Sequence, residues 1–349
     1  MKNIFQKGLA LGIPSGGCSC SNMDFEWLYA NPMNLLWMDN LVITQNMWNL
    51  VMSECHSANF GKGKEDVFAK SNKLIYSILN DVGLVKILPD DCIDEDTKNE
   101  IYSQIESDLE LLGNSVKEED DLLWINRYCY CIPSLWTLYA SLFLSRQNNA
   151  GFMLFENELS YLKTILPLKY PNMSPMPIAR RATAINEVLK MALPNFKVGH
   201  EYLFDSMERC SVCVKIDECK DSYLSKIEKQ VFTILEYRER EEINQLCTLM
   251  DRICSEKFLN DYEIAPSELM HEINVERVKV QRKINKIYRT FERWKNVVMT
   301  VSAGMTLGGF FSYPTLAAVG ASGVLATNVA DKILTEQEKK SKWVNLFNN

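Results

Sequence analysis

Apolar positions change their spacing several times along the chain, and the changes separate a front half from a back half. Residues 34–44 form an apolar, partly β-branched run that predicts one or two short strands, and 84–89 predicts another. Between them, 47–54 and 65–82 carry apolar residues at three/four spacing, so the front of the chain reads as strand and helix in alternation. Residues 90–120 are acidic and polar and predict a surface helix with loops. The aromatic and aliphatic stretch 124–144 is interrupted by Arg127, Pro133 and Ser134, which predicts a buried helix pair rather than a membrane span.

A proline-rich stretch follows, with Pro167, Pro171, Pro175 and Pro177 close together. Proline cannot continue a helix and biases the residue before it toward extended geometry, so the domain boundary is expected here. The expected fold is an α+β or α/β N-terminal domain over 1–165 and a mostly α-helical C-terminal domain over 178–349. In the second, 182–191, 222–257 and 267–296 predict helices, the last opening on Pro266 and Ser267 with Glu268 in its first turn.

Along 267–296 the residues Ile273, Val280, Ile284, Ile287, Phe291, Trp294 and Val298 keep three/four spacing, with Arg277 as the one break. The other faces carry Lys279, Arg282, Lys283, Lys286, Arg289, Arg293 and Lys295, opposed over 277–295 only by Glu292. This is a packing helix with a basic back. That back is either solvated or turned toward an anionic membrane surface, nucleic-acid phosphate or a protein partner. From 296 to 330 there is no charge at all, and Pro314 divides the segment into two halves rich in small residues such as Gly304, Gly308, Gly309, Ala317 and Gly320. Each half is shorter than the ~20 residues a spanning helix needs. A buried hairpin is therefore expected, with a membrane-inserting hairpin flanked by Arg293, Lys295, Lys332 and Lys339 as the alternative.

Length and charge narrow the classes. A chain of 349 residues is long enough for two domains, and a net charge of -7 disfavours a wholly electrostatic nucleic-acid binder while permitting a local basic patch. Eleven cysteines fall partly in close pairs, and the opening residues give only a short apolar run without a cleavage pattern. Reduced thiols or metal ligation in a cytoplasmic protein, or one peripheral to the inner membrane face, are expected.

The best chemical clue is Cys210, Cys213 and Cys219, spaced C-x2-C-x5-C within 208–220. Thiolates bind zinc or iron-sulfur clusters, and C-x2-C brings two sulfurs to one centre through a tight local turn. Cys18 or Cys20, in a glycine-led segment, is the expected fourth ligand, with Cys129, Cys131, Cys247 and His200 as further candidates. The plainer account is a set of reduced, partly buried thiols. Over Cys210 to Cys219 the spacing resembles that of the iron-sulfur cluster in some CRISPR-associated and recombination nucleases, where one N-terminal cysteine joins a later triplet. Such an enzyme needs clustered carboxylates and a lysine for Mg2+; the nearest match, Asp90 followed by Asp96, Thr97 and Lys98, has too short a gap, and Asp39, Asp81, Asp90 and Asp91 at strand ends would instead form an acidic cluster that resembles that of PIN-like nucleases. No P-loop signature is present, and Gly8, Gly12, Gly16 and Gly17 match no dinucleotide fingerprint, with no strand expected before them. The expected function is a metal-binding regulatory or interaction protein whose iron-sulfur or zinc centre is structural or redox-sensing. A membrane-acting effector and a metal-dependent nuclease are the alternatives.

Overall fold

Strand β1 (Asn3–Phe5) lies inside a four-stranded parallel sheet, paired on both edges. The structure is a computed structural model and describes residues 2–8, 25–29, 32–54, 65–120, 122–152, 154–169, 177–193, 216–258, 264–307, 332, 335–336 and 339–347. On one side β1 meets β2 (Asn40–Thr44), with Asn3 opposite Asn40 and Phe5 opposite Val42. On the other it meets β7 (Ala150–Gly151), with Asn3 opposite Ala150. Strand β3 (Val85–Leu88) pairs with the outer edge of β2, giving the order β3-β2-β1-β7.

Leu41, Val42 and Ile43 are fully buried, so β2 is covered on both faces and shows an unbroken apolar run instead of alternation. The first half of that run is not strand. Asn34–Trp37 forms a helical turn, α2, after a similar turn α1 (Glu26–Tyr29), and all four α2 residues are buried. Helix α3 (Gln45–Met52) starts where the Thr44 hydroxyl accepts a hydrogen bond from the Met47 amide at 3.3 Å. Helix α4 (Glu65–Asp81) then returns the chain to β3 through Gly83, whose φ of 74° suits glycine.

Beyond β3, helix α5 (Glu95–Leu112) opens on Asp94, whose carboxylate accepts from the Thr97 amide at 2.8 Å. The stretch expected to be a helix pair is instead two strands and one helix. Strands β4 (Val116–Glu119), β5 (Leu122–Ile125) and β6 (Tyr128–Tyr130) form an antiparallel sheet in that order, followed by α6 (Ile132–Gln147). Ile125 and Tyr130 are buried whereas Trp124 is 37% exposed, a period of two that overrides the helical reading. Asn126, with φ 57°, makes the turn between β5 and β6.

Helices α7 (Glu156–Lys169), α8 (Pro177–Ala192), α9 (Ile216–Arg238), α10 (Glu241–Lys257) and α11 (Pro266–Leu307) complete the α-helices among the described residues. The single helix expected over 222–257 is two. The Arg238 guanidinium donates to the Leu35 carbonyl at 2.9 Å and to that of Met38, while Glu241 and Glu242 supply the negative charge that favours a new helix start. The chain is mostly helical, with a small parallel sheet and a mostly helical C-terminal region.

Two compact units emerge from the internal contacts. The first comprises Met1–Arg240 with Cys254–Leu269. Within it α8 packs on β1, β7 and α2, α9 on α4 and α2, and α6 on α5 and β7. The second comprises Glu241–Ile253 with Met270–Asn349. There a 3-10 helix at Lys342–Phe347 buries Trp343 and Val344. Its surroundings are tied by Lys342 to Glu241, by the Gln245 amide to the Lys339 carbonyl at 2.6 Å, and by Arg252 to Glu276 at 3.1 Å. Arg277, the break in the apolar row, donates to the Phe347 carbonyl at 3.2 Å. Helix α11 runs unbroken past 296 to Leu307, and the rest of the expected hairpin, 308–330, lies outside the described residues. Among the described residues no helix is long and apolar enough to cross a membrane.

Candidate functional site at the ends of the parallel strands

In chain order the strands step outward from β1 to β2 to β3, and the chain then returns to the far side of β1 for β7. The stepping direction therefore reverses between β1 and β7. In open parallel sheets, crevices for ligands form outside the C-terminal strand ends at such a reversal. Here that end of β1 is occupied by Gln6 and Lys7, and that of β7 by Phe152.

These polar residues are buried. Gln6 is 0% and Lys7 3% exposed. Burial of a polar group is costly unless its hydrogen bonds are made, and they are. The Gln6 side-chain oxygen accepts from the Trp27 indole at 2.9 Å and from the Tyr76 hydroxyl, and its amide donates to the Lys7 carbonyl at 2.9 Å. Trp27 and Tyr76 meet edge to face at 6.3 Å, so one glutamine holds two large aromatic groups beside the strand end.

The Lys7 ammonium lies 2.5 Å from the Glu158 carboxylate, 3.9 Å from the centre of the Phe155 ring and 5.5 Å from that of Phe152. Glu158 also accepts from the Phe155 amide at 2.9 Å and so closes the first turn of α7. The charged pair, dry on its aromatic side, joins the end of β1 to the start of α7. Thr44, at the end of β2, and Ser71 and Asn72 on α4 are further buried polar residues of the same unit. At the opposite end of the strands Asn3 does the joining. Its amide donates to the Asn148 carbonyl at 3.0 Å, and its oxygen accepts from Asn40 at 3.2 Å.

Elsewhere in the same unit a concavity of 570 Å³ is lined by Asn126, Arg127, Tyr128, Glu156, Ser160 and Lys163. Two of its charges, Arg127 and Glu156, pair with each other. Tyr128 donates to Glu156 at 2.5 Å and Arg127 at 3.1 Å, which holds the Glu156 carboxyl below its usual range, the Tyr128 hydrogen bond being the larger cause. Arg127 and Glu156 are 80% and 76% exposed, so this pair is weak and water-screened. The strand-end cluster of Gln6, Lys7 and Glu158 is the more buried of the two and the more fully hydrogen-bonded.

The cysteines singled out from the sequence fall elsewhere. Cys18, Cys20, Cys210 and Cys213 lie outside the described residues, and Cys219 falls in the first turn of α9. Cys129 is exposed, Cys131 half-buried, and Cys247 buried. Among the described residues no three His, Cys, Asp or Glu side chains are grouped to hold a metal ion.

The carboxylates of the nuclease reading are divided between the two ends of the sheet. Asp39 precedes β2, where it accepts from the Lys2 amide at 2.7 Å, and Asp81 ends α4 ahead of β3. Asp90 and Asp91 follow β3. With Thr44 opposite Leu88, Asp39 and Asp90 are about seven strand positions apart, or roughly 20 Å, too far to share an ion.

Gln6, Lys7 and Glu158 were not legible as a site. A three-residue strand is too short to show a period, and Lys7 reads as part of a basic start. The structure does supply the strand that Gly8, Gly12, Gly16 and Gly17 lacked, since β1 ends three positions before Gly8. Comparison of the chain with protein families, with characterised proteins and with solved structures finds no match in any of the three.

Proposed function

We propose that the chain is a binding protein whose α/β core takes up a small phosphate-bearing ligand of nucleotide type at the C-terminal ends of β1 and β7. The observation that carries the reading is the reversal of strand order beside β1, with buried Gln6 and Lys7 directly after the strand and a glycine-led sequence directly after them. Successive backbone amides in such a sequence can cradle a phosphate. Glu158 neutralises Lys7, and the ion pair fixes the strand end that precedes the glycine-led sequence. Fold-level analogy supports the reading together with this geometry. Thermal-shift and calorimetric titration of the full chain with ATP, ADP, NAD and inorganic phosphate tests it. Saturable stabilisation by a nucleotide is expected, weakened at least tenfold in Gly12→Asp; no response to any of the four sinks the reading.

A separate proposal rests on the C-x2-C-x5-C spacing. Cys210, Cys213 and Cys219, closed by Cys18 or Cys20, hold an iron-sulfur cluster or zinc that clips the chain or senses redox state. What supports it is the spacing, and its test is metal content.

A further inference from the structure

Helix α11 changes character along its length. At its base Ile273 is fully buried and Arg277 half-buried, reaching Phe347. From Val278 to Arg289 no residue is fully buried. Val278, Lys279, Gln281, Arg282, Lys283, Asn285, Lys286, Tyr288 and Arg289 are exposed, and Val280, Ile284 and Ile287, the apolar row, are only half-buried. A row with three/four spacing that its own fold covers only in part leaves apolar surface open to a partner.

Charge decides what that partner is. Over 277–295 the sequence has eight Lys and Arg against Glu292, on a chain whose net charge is -7. The described portion carries this charge outward, Lys279 being 64% exposed even while it lies 2.7 Å from Glu276. The occupant is therefore anionic. Nucleic acid and an anionic bilayer both qualify on charge, but they differ in what they do with apolar surface. A phosphate backbone has no use for the row at Val280, Ile284 and Ile287, nor for the uncharged sequence 296–330 into which the same helix continues as far as Leu307. A bilayer interface uses both: basic side chains meet headgroups while the apolar face sinks to the acyl boundary.

We infer that α11 docks this chain on an anionic lipid surface, lying in the interface with its basic residues on the headgroups. This stands apart from the ligand site, which belongs to the first unit. Flotation of the intact protein with vesicles of phosphatidylcholine containing 30% phosphatidylserine, against phosphatidylcholine alone, is the test. Binding to the anionic vesicles at least tenfold above the neutral ones is expected, falling at least tenfold in 0.5 M salt, where the screening length shrinks. Lys283→Glu with Arg289→Glu, both exposed and so tolerated by the fold, is expected to abolish flotation with an unchanged melting temperature. Ile284→Gln is expected to weaken it without altering charge. Equal binding to both vesicle types, no flotation at all, or retardation of a DNA or RNA duplex by a protein that does not float would each overturn the inference.

Discussion

Lys7 and Glu158, 151 positions apart in sequence, share a 2.5 Å ion pair with their side chains 3% and 13% exposed. Removing one member strands the other charge in a poorly solvated site. Lys7→Met is expected to destabilise the protein by about 3–5 kcal/mol, and Lys7→Met with Glu158→Gln to recover part of that loss. Urea denaturation of the four proteins in the cycle measures the coupling. Additive single losses would mean that the pair does not hold β1 to α7.

Gln6 accepts from both Trp27 and Tyr76. Gln6→Leu keeps the volume but removes the acceptor of the buried Trp27 indole, at about 1–3 kcal/mol. A lowered melting temperature and a red-shifted tryptophan emission are expected. Unchanged values for both would show that the aromatic pair finds other partners.

Tyr139 donates to Asp108 and lies 2.8 Å from the hydroxyl of Tyr161. Burial pushes both phenols up, Tyr161 to about 12. A folded pKa above the unfolded value of about 10 gives a contribution that is complete below that value and lost as pH rises from 10 toward 12. The melting temperature is thus expected to be insensitive to these groups up to about pH 9.5 and to fall above pH 10. Tyr139→Phe is expected to cost about 1–3 kcal/mol at neutral pH, because Asp108 loses a donor inside the α5–α6 packing. Absorbance at 295 nm during alkaline titration follows the phenols directly. Complete ionisation by pH 10.5 without unfolding would contradict the burial argument.

Arg277 in α11 donates to the Phe347 carbonyl. In Arg277→Met the stem remains and the donor is lost, so the 3-10 helix at Lys342–Phe347 is expected to loosen. Hydrogen exchange at Val344, whose amide bonds the Ser341 carbonyl at 3.0 Å, should quicken at least tenfold. Equal exchange in the two proteins would assign this segment's order to Trp343 burial alone.

Iron, zinc and acid-labile sulfide content of anaerobically prepared protein, with and without Cys213→Ser, addresses the cysteine proposal. Iron with sulfide, or zinc alone, lost in the variant is the expected result. Neither metal in the parent chain would return Cys210, Cys213 and Cys219 to ordinary thiols.

The fold was legible where a pattern had room to repeat. The spacing over 47–54 and 65–82 matches α3 and α4, and 84–89 contains β3. It failed where elements are short or reverse quickly. β1 has three residues and β7 two, and they exist because neighbouring strands supply their hydrogen bonds, which no local window contains. Trp124 and Ile125 look equally apolar in sequence, yet one faces out and the other in. The candidate site was hidden for the same reason, since Lys7 gains its meaning from Glu158 and the strand order, both set by tertiary structure. The basic helix was legible as a helix and as a charge pattern; that full burial ends at Ile273 was not, because it depends on what the rest of the chain leaves uncovered.

The pairing of Asn3 with Ala150 also has a consequence in time. Synthesis proceeds at ~5–20 residues per second, so the first strand emerges roughly 7 to 30 seconds before the partner for its second edge has been made. During that interval one side of β1 offers open backbone groups to any extended segment nearby. The expected outcome is that the yield of native protein from the ribosome depends on how long β1 is shielded before β7 is made.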